Sequence, residues 1–333
     1  MITTNTINCP HGESVWDRII GQESAKRALE IAAAGGHHVL IMGVPGSGKA
    51  SLAKAFTEIL PPMTREEALE NAAIYSASGR EDYNAYYGVY RRPFRSPHIS
   101  CSLAVLLGGG SSAQIFPGEV SLANNGVLYL DEFCDIPKTK LQALRGPMED
   151  KKVSISRLKG KVEFPANFLL IASGNPCPCG YYGEGDRCTC TPGQRAAYLS
   201  RISGPVFDSI AVQIWIHPVP DTAIVENAVS YDSAATVAKR VVAAQEIQKK
   251  RFQGEPYETN DQMPSRDIER YAALDGPCKD LMEKLVSNLG LSARSYSRIL
   301  KIARTIADLD GTDEIQVQHL AEAASYRFLD RTI

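Results

Sequence analysis

The sequence contains no long uninterrupted hydrophobic run, and nothing in it approaches the ~18 consecutive apolar residues of a membrane helix. The opening segment, MITTNTINCPHGESVW, has no basic stretch followed by an apolar core, so it does not resemble a secretory signal. Neither sign of charge dominates, because 36 basic residues face 38 acidic ones and leave a net charge of −2. Any binding of nucleic acid would therefore need a local basic patch. These absences exclude a membrane-spanning protein and predict a cytoplasmic one.

A disulfide framework is also excluded, although the chain has eight cysteines. Such frameworks belong to small secreted proteins, whereas 333 residues suffice for about two domains with cores of their own. A composition of 44% hydrophobic and 22% charged residues excludes a disordered chain, collagen and a coiled-coil rod. We therefore expect reduced thiols, four of which are bunched between residues 177 and 190.

Apolar runs and their spacing predict two domains. Helix-forming SAKRALEIAAA at 24–34 precedes a short apolar strand at 38–42, and similar strands are predicted at 126–130, 168–172 and 210–216. Continuous apolar strands separated by helices are typical of a parallel sheet covered on both faces. After Pro220 the apolar spacing becomes helical. We predict an arm at 1–17, an α/β core at 18–218 with hairpin and Cys-rich insertions, and a small helical lid at 219–333.

A phosphate-binding loop follows the first predicted strand. Residues 43–49 (GVPGSGK) match G-x-x-x-x-G-K between a strand and a helix, the context that this loop requires. Its glycines let backbone N–H groups face one anion, and Lys49 reaches the β and γ phosphates. The pattern expects Ser or Thr next, whose hydroxyl ligates Mg²⁺, but the chain has an alanine. The residues predicted to contact nucleotide here are Gly43, Pro45, Gly46, Ser47, Gly48, Lys49, Ala50 and Ser51.

Two acidic residues follow the second apolar strand. In a hydrolytic NTPase this order places Asp131 on Mg²⁺ or its water and Glu132 beside the attacking water. Two acids at a strand end are also a common solvated feature. The phosphate loop upstream favours the functional interpretation.

Several segments resemble the AAA+ module of the magnesium-chelatase-like family, ComM type. They are GQESAKRALEIAAAGGHHVLIMGVPGSGK, RPFRSPH, PGEVSLANNGVLYLDEF, NPCPCGYYG with CTCTPGQ, and LSARSYSRILKIARTIADLDG. Together they extend from about Ile19 to Arg331. The resemblance implies an αβα AAA+ core with a helical lid, use of ATP and Mg²⁺, and assembly into a ring with six subunits expected. ComM-type proteins usually carry a further N-terminal Lon-protease-like domain that these segments do not include.

The resemblance also implies roles for individual residues. Gly21 and Gln22 would belong to the loop on the adenine side, and Asn175 would be the sensor that helps place the attacking water. Arg294 would be the lid residue that touches the γ phosphate. Without the resemblance, Asn175 is only a turn former and Arg294 only a solvated helix residue.

One position departs from the family pattern. The pattern G-P-L-L-D-R-I-D appears here as GPVFDSIA, so Ser209 stands where an arginine for the neighbouring subunit's nucleotide is expected. Arg201 is the nearest substitute.

The bunched cysteines form C-x-C, a Gly-rich spacer and a second C-x-C. Four thiolates on two short arms can surround a structural Zn²⁺ and leave no open position for catalysis. The alternative is inert or redox-active thiols. The predicted zinc ligands are Cys177, Cys179, Cys188 and Cys190.

Alternation of apolar and polar residues over 153–164 predicts a hairpin with a Lys-Gly turn. The resemblance implies that such a hairpin points into the ring channel. Arg157, Lys159 and Lys161 make it suited to a nucleic-acid backbone, and ordinary surface lysines are the alternative. Residues 106–112 are a candidate companion insertion. Three arginines in 91–95 are candidates for contact with phosphate or a neighbouring subunit, with a plain surface as the alternative. His37 and His38 are predicted to be packing residues.

The leading prediction of function is an ATPase that remodels or translocates DNA, since ComM proteins are associated with DNA branch migration. One alternative is an ATP-dependent subunit that acts on a client protein or in metal insertion. Another is a nucleotide-binding regulatory subunit with little turnover, working beside a second ATPase.

Overall fold

The computed structural model describes residues 14–79, 91–111, 114–157, 160–202, 205–219 and 231–331. The strands are β1 (Val39–Gly43), β2 (Phe94–Arg95), β3 (Gly108–Gly110), β4 (Ile115–Pro117), β5 (Val127–Leu130), β6 (Lys152–Arg157), β7 (Gly160–Pro165), β8 (Leu169–Gly174) and β9 (Val212–Ile216). The helices are α1 (Val15–Arg18), α2 (Glu23–Gly35), α3 (Lys49–Ile59), α4 (Arg65–Ser78), α5 (Leu103–Leu107), α6 (Glu119–Leu122), α7 (Lys138–Asp150), α8 (Pro192–Leu199), α9 (Pro205–Ser209), α10 (Ala234–Arg251), α11 (Ile268–Tyr271), α12 (Gly276–Leu289), α13 (Ala293–Leu309) and α14 (Val317–Ser325).

The central sheet has five strands in the order β2-β5-β8-β1-β9, and every pair in it is parallel. β1 is an interior strand between β8 and β9, with Val39 opposite Ile171 on one side and Val212 on the other. All five residues of β1 are buried, which is why the strand reads as a continuous apolar run. The predicted parallel sheet covered on both faces is confirmed. The last strand begins at Val212, two residues later than the sequence suggests. Ile210 and Ala211 are apolar because they are buried in the connection from α9.

The helical domain packs along α2. Val237 of α10 and Ile299 of α13 share one buried core with Leu29 of that helix. Burial of apolar side chains between these elements is the main favourable contribution to their association. An α/β core followed by a helical domain is therefore what the chain forms.

Two buried histidines lie at the amino-terminal end of β1, and His37 joins the α/β core to the helical domain. His37 Nδ1 lies 3.2 Å from Asp261 Oδ1, and its Nε2 lies 2.9 Å from Thr305 Oγ1. His38 Nδ1 accepts a 3.0 Å hydrogen bond from the Leu170 N–H. Burial lowers the pKa of His37, and it lowers the pKa of His38 to about 3. Both residues are packing residues, as predicted.

Two hairpins are inserted into the core. β3 and β4 pair between α5 and α6, and β6 and β7 pair between α7 and β8. The second hairpin forms over the predicted segment, but Gly160 begins β7 opposite Arg157 and so is not part of a Lys-Gly turn as predicted. No helix in the described ranges is both long and apolar enough to cross a lipid bilayer.

Candidate nucleotide site and cysteine cluster

The phosphate loop leaves β1 and leads directly into α3. Gly46 and Gly48 have φ of +81° and +93°, a region that side chains other than glycine rarely adopt. No side chain caps the start of α3, so its first N–H groups face the loop. The positive φ values and the uncapped helix start are the backbone features that an N–H nest for phosphate requires.

Lys49 is held inside this loop. Its Nζ donates to the carbonyl oxygens of Gly43 and Val44 at 2.7 and 2.9 Å, and it lies 3.3 Å from Asn175 Oδ1. Burial lowers the pKa of Lys49, while the nearby charge of Asp131 raises it. The structure thus brings Lys49, Asn175 and Asp131 together, since each follows a neighbouring strand of the sheet.

The two acidic residues after β5 are exposed and differ in their contacts. Asp131 Oδ1 accepts hydrogen bonds from Ser173 Oγ and, at 2.9 Å, from the Glu132 N–H. Ser173 Oγ is also 2.7 Å from the Tyr129 hydroxyl. Glu132 has a φ of +50°, which is costly for a residue other than glycine. Glu132 thus has an unfavourable backbone conformation, and it is exposed at the edge of the site.

Ser173 and Tyr129 were missed by sequence reasoning. Ser173 is fully buried and Tyr129 is nearly so, and both side chains carry a hydroxyl within strands that are otherwise apolar. A polar atom at such a position needs a partner, because burying it alone is costly. That rule was the available signal. Here the hydrogen bonds run from the Tyr129 hydroxyl through Ser173 Oγ to Asp131 Oδ1.

Gly21 and Gln22 lie beside the end of β9. Both have left-handed backbone angles, and Gln22 Nε2 donates to the His217 carbonyl oxygen at 2.6 Å. A Cβ at Gly21 would lie 3.7 Å from Val219. β9 is paired with β1, so this loop is on the same edge of the sheet as the phosphate loop. Ala50 and Ser51 are both exposed in the first turn of α3.

Arg294 is not at the phosphate loop of its own chain. Its guanidinium pairs with Asp208, in the helix just before the start of β9. One turn along α13, Arg298 contacts Asp261 at 2.7 Å, beside the buried His37. These contacts put Arg294 at the amino-terminal edge of the sheet, whereas Lys49 is at the opposite edge. The described contacts of Arg294 therefore do not place it beside the phosphate loop of its own subunit, and its contact with a γ phosphate stays a prediction.

Ser209 and Arg201, the two positions considered for the arginine that reaches a neighbouring subunit's nucleotide, lie apart. Ser209 is half-buried at the amino-terminal edge, in a cleft shared with His38 and Arg298. Arg201 is exposed, and its Nη1 lies 3.2 Å from Asp135 Oδ1, in the turn that follows Glu132. Arg201 and Ser209 are thus at different edges of the sheet.

The four bunched cysteines converge. Cys177 Sγ lies 3.4 Å from Cys179 Sγ and 3.9 Å from Cys188 Sγ, and the last two sulfurs are 3.8 Å apart. With Cys190, all four sulfurs lie within 4.8 Å of one another. Four sulfurs at about 2.3 Å from a tetrahedral zinc would be about 3.8 Å apart. The donor set and its spacing fit Zn²⁺.

The basic hairpin is partly neutralised by its own acid. Glu163 on β7 pairs with Lys152 at 3.0 Å and with Lys161 at 2.7 Å. These lysines lower the pKa of Glu163 to about 2, so it is ionised at neutral pH. Lys159 and the side chain of Arg157 lie outside the described residues. Sequence reasoning counted the cations here and overlooked the acid that pairs with two of them.

The arginines near 91–95 serve the fold. Arg92 donates to the carbonyl oxygens of Pro61 and Asn125 at 2.6 and 2.7 Å, and Arg95 forms a two-point pair with Glu119. Both guanidinium groups are thereby occupied within the subunit. These contacts favour a structural role for Arg92 and Arg95, and contact with phosphate or a neighbour stays untested.

Comparison with known proteins agrees with this architecture. Residues 15–224 match the family described as "Magnesium chelatase, subunit ChlI", and residues 231–327 match its C-terminal family. The chain belongs to this magnesium chelatase ChlI family, and it has an AAA+ core followed by a helical domain. The family implies use of ATP and Mg²⁺.

Individual relatives share most of the chain. It is 44% identical over 315 residues to the "Uncharacterized protein YifB" of Salmonella typhimurium and 42% identical over 315 residues to the "Competence protein ComM" of Haemophilus influenzae. It is 34% identical over 309 residues to the "Uncharacterized protein Rv2897c" of Mycobacterium tuberculosis. These matches cover 93–95% of this chain and 60% of each relative. The chain thus spans about 60% of the length of the relatives it matches.

Proposed function

We propose that the chain is an ATP-driven ring motor that remodels or translocates DNA. The observation that carries the ATPase part is the convergence of Lys49, Asp131 and Asn175 at one edge of the sheet, with the exposed Glu132 beside them. A loop lysine, a carboxylate for Mg²⁺, a water-positioning acid and a polar sensor are the parts that phosphoryl transfer to water needs.

The ring part of the proposal rests on the separation of the remaining parts. Arg294 and Ser209 lie at the amino-terminal edge, where they face away from Lys49 of the same chain. In a head-to-tail ring, one subunit's amino-terminal edge can meet the phosphate loop of the next. Arg294 would then act on the neighbour's nucleotide, and each site would be complete only in the assembly.

DNA is the proposed substrate because of the hairpin β6–β7 and the ComM-type resemblance. The structure sharpens how the hairpin can be tested. Glu163 pairs with Lys152 and Lys161. Replacing Glu163 by a neutral residue would free both lysines, whereas replacing lysines of the hairpin by glutamate would remove positive charge. Both changes act on the same surface with opposite signs.

We expect Lys159→Glu with Lys161→Glu to weaken DNA binding and to flatten its salt dependence by roughly one unit of slope per lost phosphate contact. Glu163→Gln is expected to tighten binding and steepen the slope. The measurement is a fluorescence titration of labelled branched DNA at several salt concentrations. Lys279→Glu with Lys284→Glu, two exposed positions on α12, makes the same change in net charge elsewhere. If that control weakens binding as much as the hairpin variant does, the hairpin is not the DNA contact.

The neutralised hairpin also favours a second candidate function. With two of its lysines paired to Glu163, the hairpin has less free positive charge than its sequence suggests. Such a mixed polar surface suits a protein client as well as a phosphate backbone. ATP hydrolysis that does not respond to branched DNA would support this alternative.

We also propose that the four cysteines hold one structural Zn²⁺ per chain. Their thiolates would fill all four positions around the ion, so zinc would tie the loop after β8 and take no part in hydrolysis. The spacing of the sulfurs supports this assignment.

Protein purified without added zinc is expected to contain about one zinc per chain, and Cys177→Ser with Cys188→Ser is expected to contain almost none. The measurement is elemental analysis after gel filtration. Cys101→Ser, at a half-buried cysteine outside the cluster, should keep the metal. Equal zinc in the wild type and in the cluster variant would show that the metal is held elsewhere.

A further inference from the structure

The loop that carries the four cysteines, residues 177–190 and named here the cysteine loop, lies directly against the phosphate loop. Gly180, between the two inner cysteines, is buried and has a φ of +85°. A Cβ at this position would lie 3.0 Å from both Cγ and Cδ of Pro45. The backbone of the cysteine loop therefore lies against the tip of the phosphate loop at a point where a side chain would crowd Pro45.

The chain itself provides a second connection. Asn175, whose Oδ1 lies 3.3 Å from Lys49 Nζ, is separated from the first cysteine only by the buried Pro176. The Gly180 N–H donates to the Cys177 carbonyl oxygen at 3.0 Å, which closes a tight turn behind Asn175. The position of Cys177 thus helps to fix Asn175, the residue that contacts Lys49.

A third contact fixes the far side of the loop. The ring of Tyr182 packs edge-on against Trp215 of β9, with centroids 6.2 Å apart. Trp215 is opposite Met42 in the register between β9 and β1. The cysteine loop is therefore fixed at three points around the end of β1, from which the phosphate loop emerges.

We propose that zinc at the cysteine cluster and nucleotide at the phosphate loop of the same subunit bind cooperatively. The inference rests on the proposed zinc site and nucleotide site, and it adds an energetic link between them. Zinc would join the two Cys-x-Cys arms and hold Gly180 against Pro45 and Asn175 beside Lys49. A loop ordered in advance loses less conformational freedom when phosphate binds, so nucleotide binds more tightly. Linkage then requires nucleotide to tighten zinc binding by the same factor.

The experiment measures that factor from both directions with the full chain and Mg²⁺-ADP. Calorimetry gives the Kd for ADP with zinc bound and after removal of zinc by a chelator. Competition with a chromophoric chelator gives the zinc affinity with and without ADP. We expect each ligand to tighten the other by about tenfold, within the usual range of coupling between sites. In Lys49→Ala, zinc should still bind, but ADP should no longer change its affinity.

A matched pair of glycine variants tests the contact without removing the metal. Gly180→Ala would push a methyl group against Pro45 and is expected to weaken ADP binding about tenfold while zinc content stays the same. Gly185→Ala is on the same loop, also at positive φ, but a Cβ there would meet nothing within 4 Å. Its ADP affinity should match the wild type.

The outcomes separate the coupling from the sites beneath it. A wild type that binds zinc and ADP with affinities independent of each other overturns the coupling and leaves both sites intact. Equal ADP affinities in Gly180→Ala and Gly185→Ala also overturn it. A wild type without zinc, or without any ADP binding, overturns the corresponding site and the coupling with it.

Discussion

Lys49→Ala is expected to lower the affinity for ATP and ADP at least about 100-fold, so that calorimetry detects no binding at millimolar nucleotide. The ammonium group donates to Gly43 and Val44 inside the loop, which aims it at the space enclosed by the N–H nest. Hydrogen bonds to charged groups contribute about 1.5–3 kcal/mol each, and a phosphate would engage this cation with more than one oxygen.

A lysine on the same helix provides the control. Lys54 is exposed in α3, one turn beyond Lys49, and Lys54→Ala removes the same charge without touching the loop. Its nucleotide affinity should equal that of the wild type. If the wild-type chain itself binds neither ATP nor ADP at millimolar concentration, the assignment of the phosphate loop is wrong.

Turnover is expected to be slow in the wild type and much faster in Ala50→Thr with Ser209→Arg. An arginine finger contributes roughly 10³ to 10⁵ in rate, and the residue after the loop lysine normally ligates Mg²⁺ through its hydroxyl. Ala50 is exposed in the first turn of α3, so threonine can enter without overpacking. Ser209 lies at the edge of the sheet opposite Lys49, where an arginine would reach a neighbouring subunit's nucleotide. Because both groups act on the same developing phosphate charge, the double variant should exceed either single one.

Steady-state phosphate release at equal ring concentration measures this. Ser209→Lys is the matched control, since it adds the charge without the planar fork of arginine. Arg201→Ala should abolish the residual wild-type activity if Arg201 is the substitute finger. Vigorous wild-type turnover that is insensitive to Arg201 would contradict this account of transition-state stabilisation.

Sequence reasoning was strongest where one local pattern decides the structure. The phosphate loop, the apolar strands and the hairpin around residue 160 each follow from periodicity or from a motif in its context. The αβα fold with its helical domain follows from the order of these patterns together with the family resemblance.

It was weakest where a contact joins distant parts of the chain. Arg294 matches a motif, but whether it faces its own nucleotide depends on how α13 packs on α2. Ser173 reaches Asp131 only because β5 and β8 pair in one register. Glu163 forms ion pairs with Lys152 and Lys161 because the pairing of β6 with β7 brings these three side chains together. Each of these outcomes depends on tertiary geometry that residue types alone do not encode.

The joint at His37 has a consequence for how nucleotide enters and leaves. Asp261 and Thr305 clasp this buried imidazole where β1 begins, so the helical domain is anchored to the end of the sheet remote from Lys49. The residues that form this joint therefore lie away from the phosphate loop of their own subunit. In the proposed ring, exchange of ADP for ATP would then depend on the separation of adjacent subunits.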